Sequence, residues 1–410
     1  MNRIVLIGNG FDLAHGLPTN YESFIQWYWE RCGNNLLHGL GKEVSDGLCS
    51  FKINDGIGVY NWASVFQGWY YRRENPLIPW DLKDVVRFVK ENKELCDFRI
   101  SQFLQQICNN IETKKWVDIE NEYYKLLTKH AIAEPSSEKL KELNGQLQCI
   151  QKLLTEYLSF VCQNGVQPIE RLWNKIYMPI NSRDISINGF TEFRKYIDNC
   201  LSLQSNVWED KQSRYGLGNE AIRAVEDYTK NYERYVVGCY PDLYMLPDLV
   251  LFVNFNYTNT ATSYLRKSVS SQIHIHGDLT NPESMIFGYG DEMDTDYLRL
   301  QNLNNNECLQ NIKSIKYLES DNYRNVLSFI DSAPYQIYIM GHSCGNSDRT
   351  LLNTLFEHKN CISIKPYYYK KEDGTDNYLE LVMNISRNFT DMKLMRDRVV
   401  NKTYCEPLLE

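Results

Sequence analysis

The sequence has no Cys-x-x-Cys pair anywhere, although it carries twelve cysteines in 410 residues. That spacing excludes a structural zinc site of the paired-knuckle type. Scattered single cysteines read as reduced thiols, mostly small core hydrophobes, in a cytoplasmic protein. There is also no long run of Lys or Arg, and the formal net charge is −8. A nucleic-acid partner, which asks for a basic face, is disfavoured. No apolar stretch approaches the roughly 18–20 residues needed to cross a bilayer, so no membrane partner is expected. The N-terminal IVLI is strand-sized and too short for a secretory h-region. Internal repeats and low-complexity segments are missing as well.

What is present is the composition of a globular chain, 43% apolar and 23% charged, which argues against dominant disorder. The length fits one large domain with an insertion, or two or three ordinary domains. Aromatic residues are abundant because of 29 tyrosines, many of them expected half-buried with the hydroxyl wet.

Arg3 to Ile7 reads as a short buried strand bounded by glycine. A helix follows, with Tyr21, Phe24, Ile25 and Tyr28 at helical spacing and Thr19 and Glu22 spaced as a capping box. Residues 33–65 are glycine-rich and irregular by composition. From about Pro79 to Tyr240 the pattern is helical, clearest in DLKDVVRFVKENKEL, KLKELNGQLQCIQKLLTEYLSFVCQ and GLGNEAIRAVEDYTKNYERYVV. The pattern then turns β-rich. A strand is predicted over Leu249–Asn254 and a helix over Thr262–Ser268. SQIHIHGDL forms another strand, and SAPYQIYIMGHSCGNSD repeats strand, glycine turn and helix. Two final strands are predicted, the second ending near Ile385, with a turn at Asp373-Gly374. The fold class is therefore α/β: a Rossmann-like parallel sheet from residues 1–75 and 241–410, interrupted by a mostly helical insertion or cap over 76–240.

Four polar, glycine-bearing loops (8–18, 254–260, 274–278 and 341–348) follow buried strands. In an open parallel sheet they would meet at the carboxyl edge, where ligands bind. In GNGFDLAHGLP, Gly8 and Gly10 allow close backbone approach, and the next helix offers free N–H groups to a phosphate. The spacing is not the G-x-G-x-x-G fingerprint, and a plain structural turn fits equally well. NFNYT offers side-chain amides suited to ribose hydroxyls, with Asx capping by Asn254 and Asn259 as the plainer alternative. In HIHGDL, strand alternation puts His274 and His276 on one face; they could ligate a metal with Asp278 or Asp12, or His276 could act as a general base. Four of the seven histidines (His15, His274, His276 and His342) fall in these loops, which favours a site. GHSCG has the serine-hydrolase elbow pattern around Ser343, but only His358 follows it. Ser343 and Asp348 capping the next helix is the simpler account.

Taken together, the four loops resemble the sirtuin family. GNGFDLAHGLPTNY is similar to its G-A-G-I-S…G-I-P opening, matched at Gly8, Gly10, Gly16 and Pro18, with Asp12 where that family has serine. NFNYT resembles its T-x-N-x-D loop at Asn256, HIHG its catalytic H-G at His276, and IMGHS its late G-x-S loop at Gly341 and Ser343. The sirtuin zinc ribbon is absent, and Thr19-Asn20-Tyr21 stand where D-F-R is found. Over most of its length the chain also resembles the AbiH family of bacteriophage abortive-infection proteins. That resemblance rests on G-N-G-F-D-x-x-x-G-L-P, Trp116-x-Asp118-x-Glu120, F-N-Y-T, H-I-H-G and G-H-S.

These resemblances imply a phage-defence effector that hydrolyses NAD+ to nicotinamide and ADP-ribose, with NAD as substrate and no metal. His276 and Asn256 would be catalytic. Gly8, Asn9, Gly10, Phe11 and Asp12 would hold the dinucleotide from the first loop, Tyr257 and Gly277 from the second and third, and Gly341, His342 and Ser343 from the fourth. The helix dipole would serve the pyrophosphate, because the loops hold no lysine. The implied partners are NAD or a related nucleotide, a phage-encoded trigger and further copies of the chain. A nucleotide sensor without turnover, and a metal-dependent nuclease using His274 and His276, remain open, as does the role of Asp118 and Glu120.

Overall fold

In the computed structural model, residues 1–56, 58, 61–71, 80–114, 117–232 and 239–409 are described below. The boundary expected at 75–76, and Trp116, lie outside them. Five strands form one all-parallel sheet in the order β6-β5-β1-β7-β8: β1 (Asn2–Ile7), β5 (Val250–Asn254), β6 (Ser270–His274), β7 (Tyr335–Met340) and β8 (Cys361–Tyr367). Every residue of β1, β5, β7 and β8 is buried. Their continuous apolar runs follow from that, since a parallel sheet is covered on both faces.

Alternation sorts β1 between two cores. Val5 and Ile7 join Ile176, Phe193 and Tyr244 on one face, under the helices Glu170–Tyr177, Phe190–Leu201 and Asp242–Met245. Ile4 and Leu6 join Leu352, Phe356 and Ile385 on the other, under Arg349–Glu357 and Tyr378–Arg387. Arg3, fully buried in β1, donates from Nη1 to the carbonyls of Ile176 and Met178 at 2.8 Å each. Its guanidinium lies 4.1 Å from the Tyr338 ring centre. A buried cation is tolerable when so paired, and here it ties the Glu170–Tyr177 helix to the sheet.

The long helical patterns are realised as Leu82–Glu91, Ser137–Val161 and Asn219–Asn231. Other expectations are corrected. Residues 33–65 are not irregular throughout: β2 (Glu43–Ser45) and β3 (Cys49–Ile53) form a hairpin, joined by β4 (Cys96–Ile100) in an antiparallel three-stranded sheet. With the helices Tyr21–Leu37 and Ser137–Val161 this sheet builds a third core. The predicted strand ending near Ile385 is the helix Tyr378–Arg387, because Leu381 and Ile385 are buried at i, i+4. The turn before it is present, with Gly374 at φ +83°. The predicted helix Thr262–Ser268 is a single 3-10 turn, Thr260–Tyr264. The expected Thr19 cap moves one residue: Asn20 caps the helix, accepting from Ser23 N at 2.8 Å. Thr19 instead donates to Asn9 Oδ1 at 2.5 Å.

The close fit of the β1 turn against the β7 turn sets the centre of the molecule. Gly341 has φ +77°, and a Cβ there would strike the backbone of Phe11 and Gly10. Gly16 has φ +76° with open space around it. Gly16→Ala should therefore cost about 1 kcal/mol for the left-handed conformation alone. Gly341→Ala adds backbone overlap and should cost about 3 kcal/mol or more, or leave the chain insoluble. Urea unfolding followed by tryptophan fluorescence measures both.

Candidate functional site

The four loops converge at the carboxyl edge of the parallel sheet. Strand order places the crevice between β1 and β7, where connections leave in opposite directions. Gly8 lies against His342 there, and Gly10 against Gly341, each too close to admit a Cβ. Asn256 Nδ2 donates to Gly8 O at 3.0 Å, and Asn256 O lies 3.2 Å from His274 Nδ1, so the loops after β1, β5 and β6 touch in sequence. Asn254 shapes its own turn: Oδ1 accepts from Asn256 N at 3.0 Å and Nδ2 donates to Thr258 O at 3.2 Å.

The expected ligand donors are engaged within the protein. Gly8 N donates to Met340 O, Gly10 N to Gly341 O at 2.8 Å, and Phe11 N to Gly8 O at 2.8 Å. Phe11 is wholly buried and Asn9 exposed. Tyr257 is buried, donating to Ile286 O at 2.9 Å. Gly277, at φ +75°, turns the chain against the Ser284 carbonyl. Ser343 is exposed, and its carbonyl accepts from Asn384. Asp12 is buried; Oδ2 accepts from Thr258 Oγ1 at 2.6 Å, while Oδ1 has no hydrogen-bond partner among the described residues. Burial pushes its carboxyl above the ordinary value.

The two histidines of HIHG do not share a face. β6 ends at His274 and the chain turns, so alternation no longer applies. His274 stays beside Asn254 and Gln272, and His276 enters a different, buried cluster. There His276 Nε2 lies 3.3 Å from Asp348 Oδ1 and 3.2 Å from the Tyr317 hydroxyl. His342 Nε2 lies 3.5 Å from Asp348 Oδ2, and its Nδ1 accepts from Cys344 N at 3.0 Å. The Phe255 ring packs against both imidazoles. Asp348 stands at the start of the helix Arg349–Glu357 but makes no side-chain cap, contrary to expectation. His358, at the far end of that helix, pairs with Asp331, away from Ser343.

The residue that organises the cluster was invisible in the sequence. Lys313, 1% exposed, donates to Asp348 Oδ1 and to Glu120 Oε2 at 2.8 Å each. It arrives on the segment after β6, where Lys313 N donates to Tyr289 O and Ile286 N to His276 O. So the site does contain a lysine, although the four loops have none. Glu120 Oε1 also accepts from Gly288 N at 3.2 Å. Asp118 caps the helix Ile119–Thr128, accepting from Asn121 N at 2.9 Å. The acidic pair of the W-x-D-x-E stretch is thus divided between a helix cap and the buried cluster. Nothing in the sequence around Lys313, between Ile312 and Ile315 in a four-residue helix, marks it as more than a surface lysine.

Burial pushes Asp348 up, but Lys313 and then His276 together hold its carboxyl well below the usual range. Burial pulls the Lys313 ammonium down, but Asp348 and Glu120 outweigh it and hold it above its ordinary value. Burial raises Glu120 against the pull of Lys313. Burial, then Lys313, lower the His276 imidazole to about 4 despite Asp348. His276 is therefore neutral near pH 7. With Nε2–H facing an ionised carboxylate, its lone pair sits on Nδ1.

Removing one partner from a buried pair strands the other charge. Lys313→Ala should destabilise the protein by about 3–5 kcal/mol, measured by urea denaturation. His276 should titrate near pH 4 in 13C-histidine NMR, its resonance assigned with His276→Gln. Its folded value lies below the ordinary 6.5 of a histidine, so the unfolded chain takes the proton first. Its contribution is constant above about pH 6.5 and is lost as the pH falls toward 4; His276→Gln should remove that part of the pH dependence.

No curated protein and no solved structure matches the chain. Among the described residues, no helix is long and apolar enough to cross a membrane. The family model for AbiH, described as bacteriophage abortive infection AbiH, matches residues 4–369. With a match over most of its length, the chain belongs to the AbiH family, whose role is bacteriophage abortive infection.

Proposed function

We propose that this abortive-infection protein acts by hydrolysing NAD+ to nicotinamide and ADP-ribose, through a sirtuin-like arrangement of the four loops. The observation that carries this reading is their convergence at the β1/β7 crevice with a neutral His276 beneath. Cleavage breaks the bond between nicotinamide and ribose C1′ through an oxocarbenium-like transition state. Water adds at C1′ and loses its proton, so the protein's task is positioning and proton removal.

His276 suits that task because Asp348 fixes its ring, while burial and then Lys313 keep it unprotonated. The unpartnered Oδ1 of Asp12 offers a buried acceptor for a ribose hydroxyl. Asn256 would orient the nicotinamide ribose, in exchange for its bond to Gly8 O. One observation favours a second reading, a nucleotide-responsive switch without turnover. The amides of Gly10 and Phe11 already donate to protein carbonyls, so a pyrophosphate at this turn would have to displace the Gly341 loop.

Cellular NAD, measured by mass spectrometry after induction with and without phage, tests the two. Hydrolysis predicts a fall in NAD with release of nicotinamide. Loss of the base in His276→Ala should slow it about 10²- to 10⁴-fold, and Asn256→Ala should also abolish the fall. Unchanged NAD during clear phage protection overturns hydrolysis and leaves the switch.

A further inference from the structure

Away from the sheet edge, sulfur ligands and a carboxylate gather where the helix Tyr21–Leu37, the β2–β3 turn and the helix Ser137–Val161 meet. Cys32 Sγ, Cys49 Sγ and a carboxylate oxygen of Asp46 all lie within 4.8 Å of one another. Both cysteines are buried. Asp46 Oδ1 accepts from Leu48 N at 2.9 Å and Cys49 N at 3.1 Å, which fixes the turn and leaves Oδ2 uncommitted among the described residues. Cys149 Sγ donates to the Asp46 carbonyl at 2.9 Å. The Tyr28 hydroxyl lies 3.1 Å from Cys49 Sγ.

We propose that Cys32, Cys49 and Asp46 form a binding site for a thiophilic divalent cation of the Zn2+ type, with water as the remaining ligand. Zn–S bonds of about 2.3 Å in a tetrahedron put sulfurs about 3.8 Å apart, so small side-chain movements convert the observed cluster into a ligand set. Asp46 sits at the exposed rim of the two buried thiols, and a cation held between them would balance the charge left when each ligating thiol gives its proton to solvent. The Tyr28 hydroxyl then serves as the outer hydrogen-bond donor that orients a ligating thiolate. The site departs from the expectation of no metal. Its ligands come from three elements, so no Cys-x-x-Cys signature exists to reveal them. Bound metal would clamp the β2–β3 hairpin to the helix Tyr21–Leu37, independently of any activity at the sheet edge.

The test uses the full chain, purified under reducing conditions without chelator. Elemental analysis should find one zinc per chain, and Co2+ substituted for it should give a thiolate-to-metal charge-transfer band. Cys49→Ser should lose both, while Cys239→Ser, at an exposed cysteine, keeps them. Asp46→Asn retains the turn acceptor but removes the charge, and should weaken Zn2+ binding at least about tenfold in chelator competition. A folded wild-type chain that takes up no stoichiometric Zn2+ and shows no Co2+ band overturns the proposal. So does a folded Cys32→Ser/Cys49→Ser double variant that still binds one equivalent. If the cysteine variants fail to fold, unchanged affinity in Asp46→Asn overturns it.

Discussion

A single buried ammonium, that of Lys313, holds together the parts of the molecule on which the candidate site depends. It reaches Glu120 on the helix Ile119–Thr128 and Asp348 after β7, and it is itself carried by the segment after β6. Burying a lysine against two carboxyl groups is expensive, and only the mutual pairing and further hydrogen bonds make the cluster tolerable. What it provides is geometry. Asp348, kept ionised, accepts from the lysine and faces both His276 and His342. Two imidazoles from the turns after β6 and β7 are thereby fixed in orientation beneath one crevice.

The same cluster decides the protonation states. A histidine beside an aspartate alone would be expected to hold its proton more tightly. Here burial and the neighbouring Lys313 outweigh Asp348, and His276 is neutral. The charge that makes Asp348 a good hydrogen-bond acceptor is therefore balanced by the lysine rather than by the imidazole. That division of labour leaves a histidine lone pair available at neutral pH.

Glycines close the crevice above. Gly8 and Gly10 are required because the backbone of residues 341–342 passes directly over them, and Gly341 is required for the reciprocal reason. Their role in this structure is close contact between two turns. A ligand bound between β1 and β7 would exploit the same lack of side chains only after those turns part. The core of the antiparallel sheet β2-β3-β4 reaches this edge through Tyr257 of the loop after β5, and it shares Met285 and Tyr289 with the segment that lies over His276.

By itself the sequence determined the α/β class, the carboxyl-edge placement of the four loops and the long helices, because strand runs, glycine turns and 3.6-residue periodicity are local signals. The loops are read correctly as neighbours because buried strands of this kind pair in parallel and deliver their ends to one edge. Local signals failed where a single turn of chain had to choose between structures. Tyr378–Arg387 looked like a strand after an aromatic run, and His276 looked like a continuation of β6. Only the tertiary structure decided that Lys313, Glu120 and Asp348 share one buried site, since nothing in their flanking residues records a partner more than thirty positions away. It alone also brought Cys32, Asp46 and Cys49 together. Long-range pairing of charges and gathering of thiols are fixed by how elements pack, and packing leaves no periodicity in the chain to read.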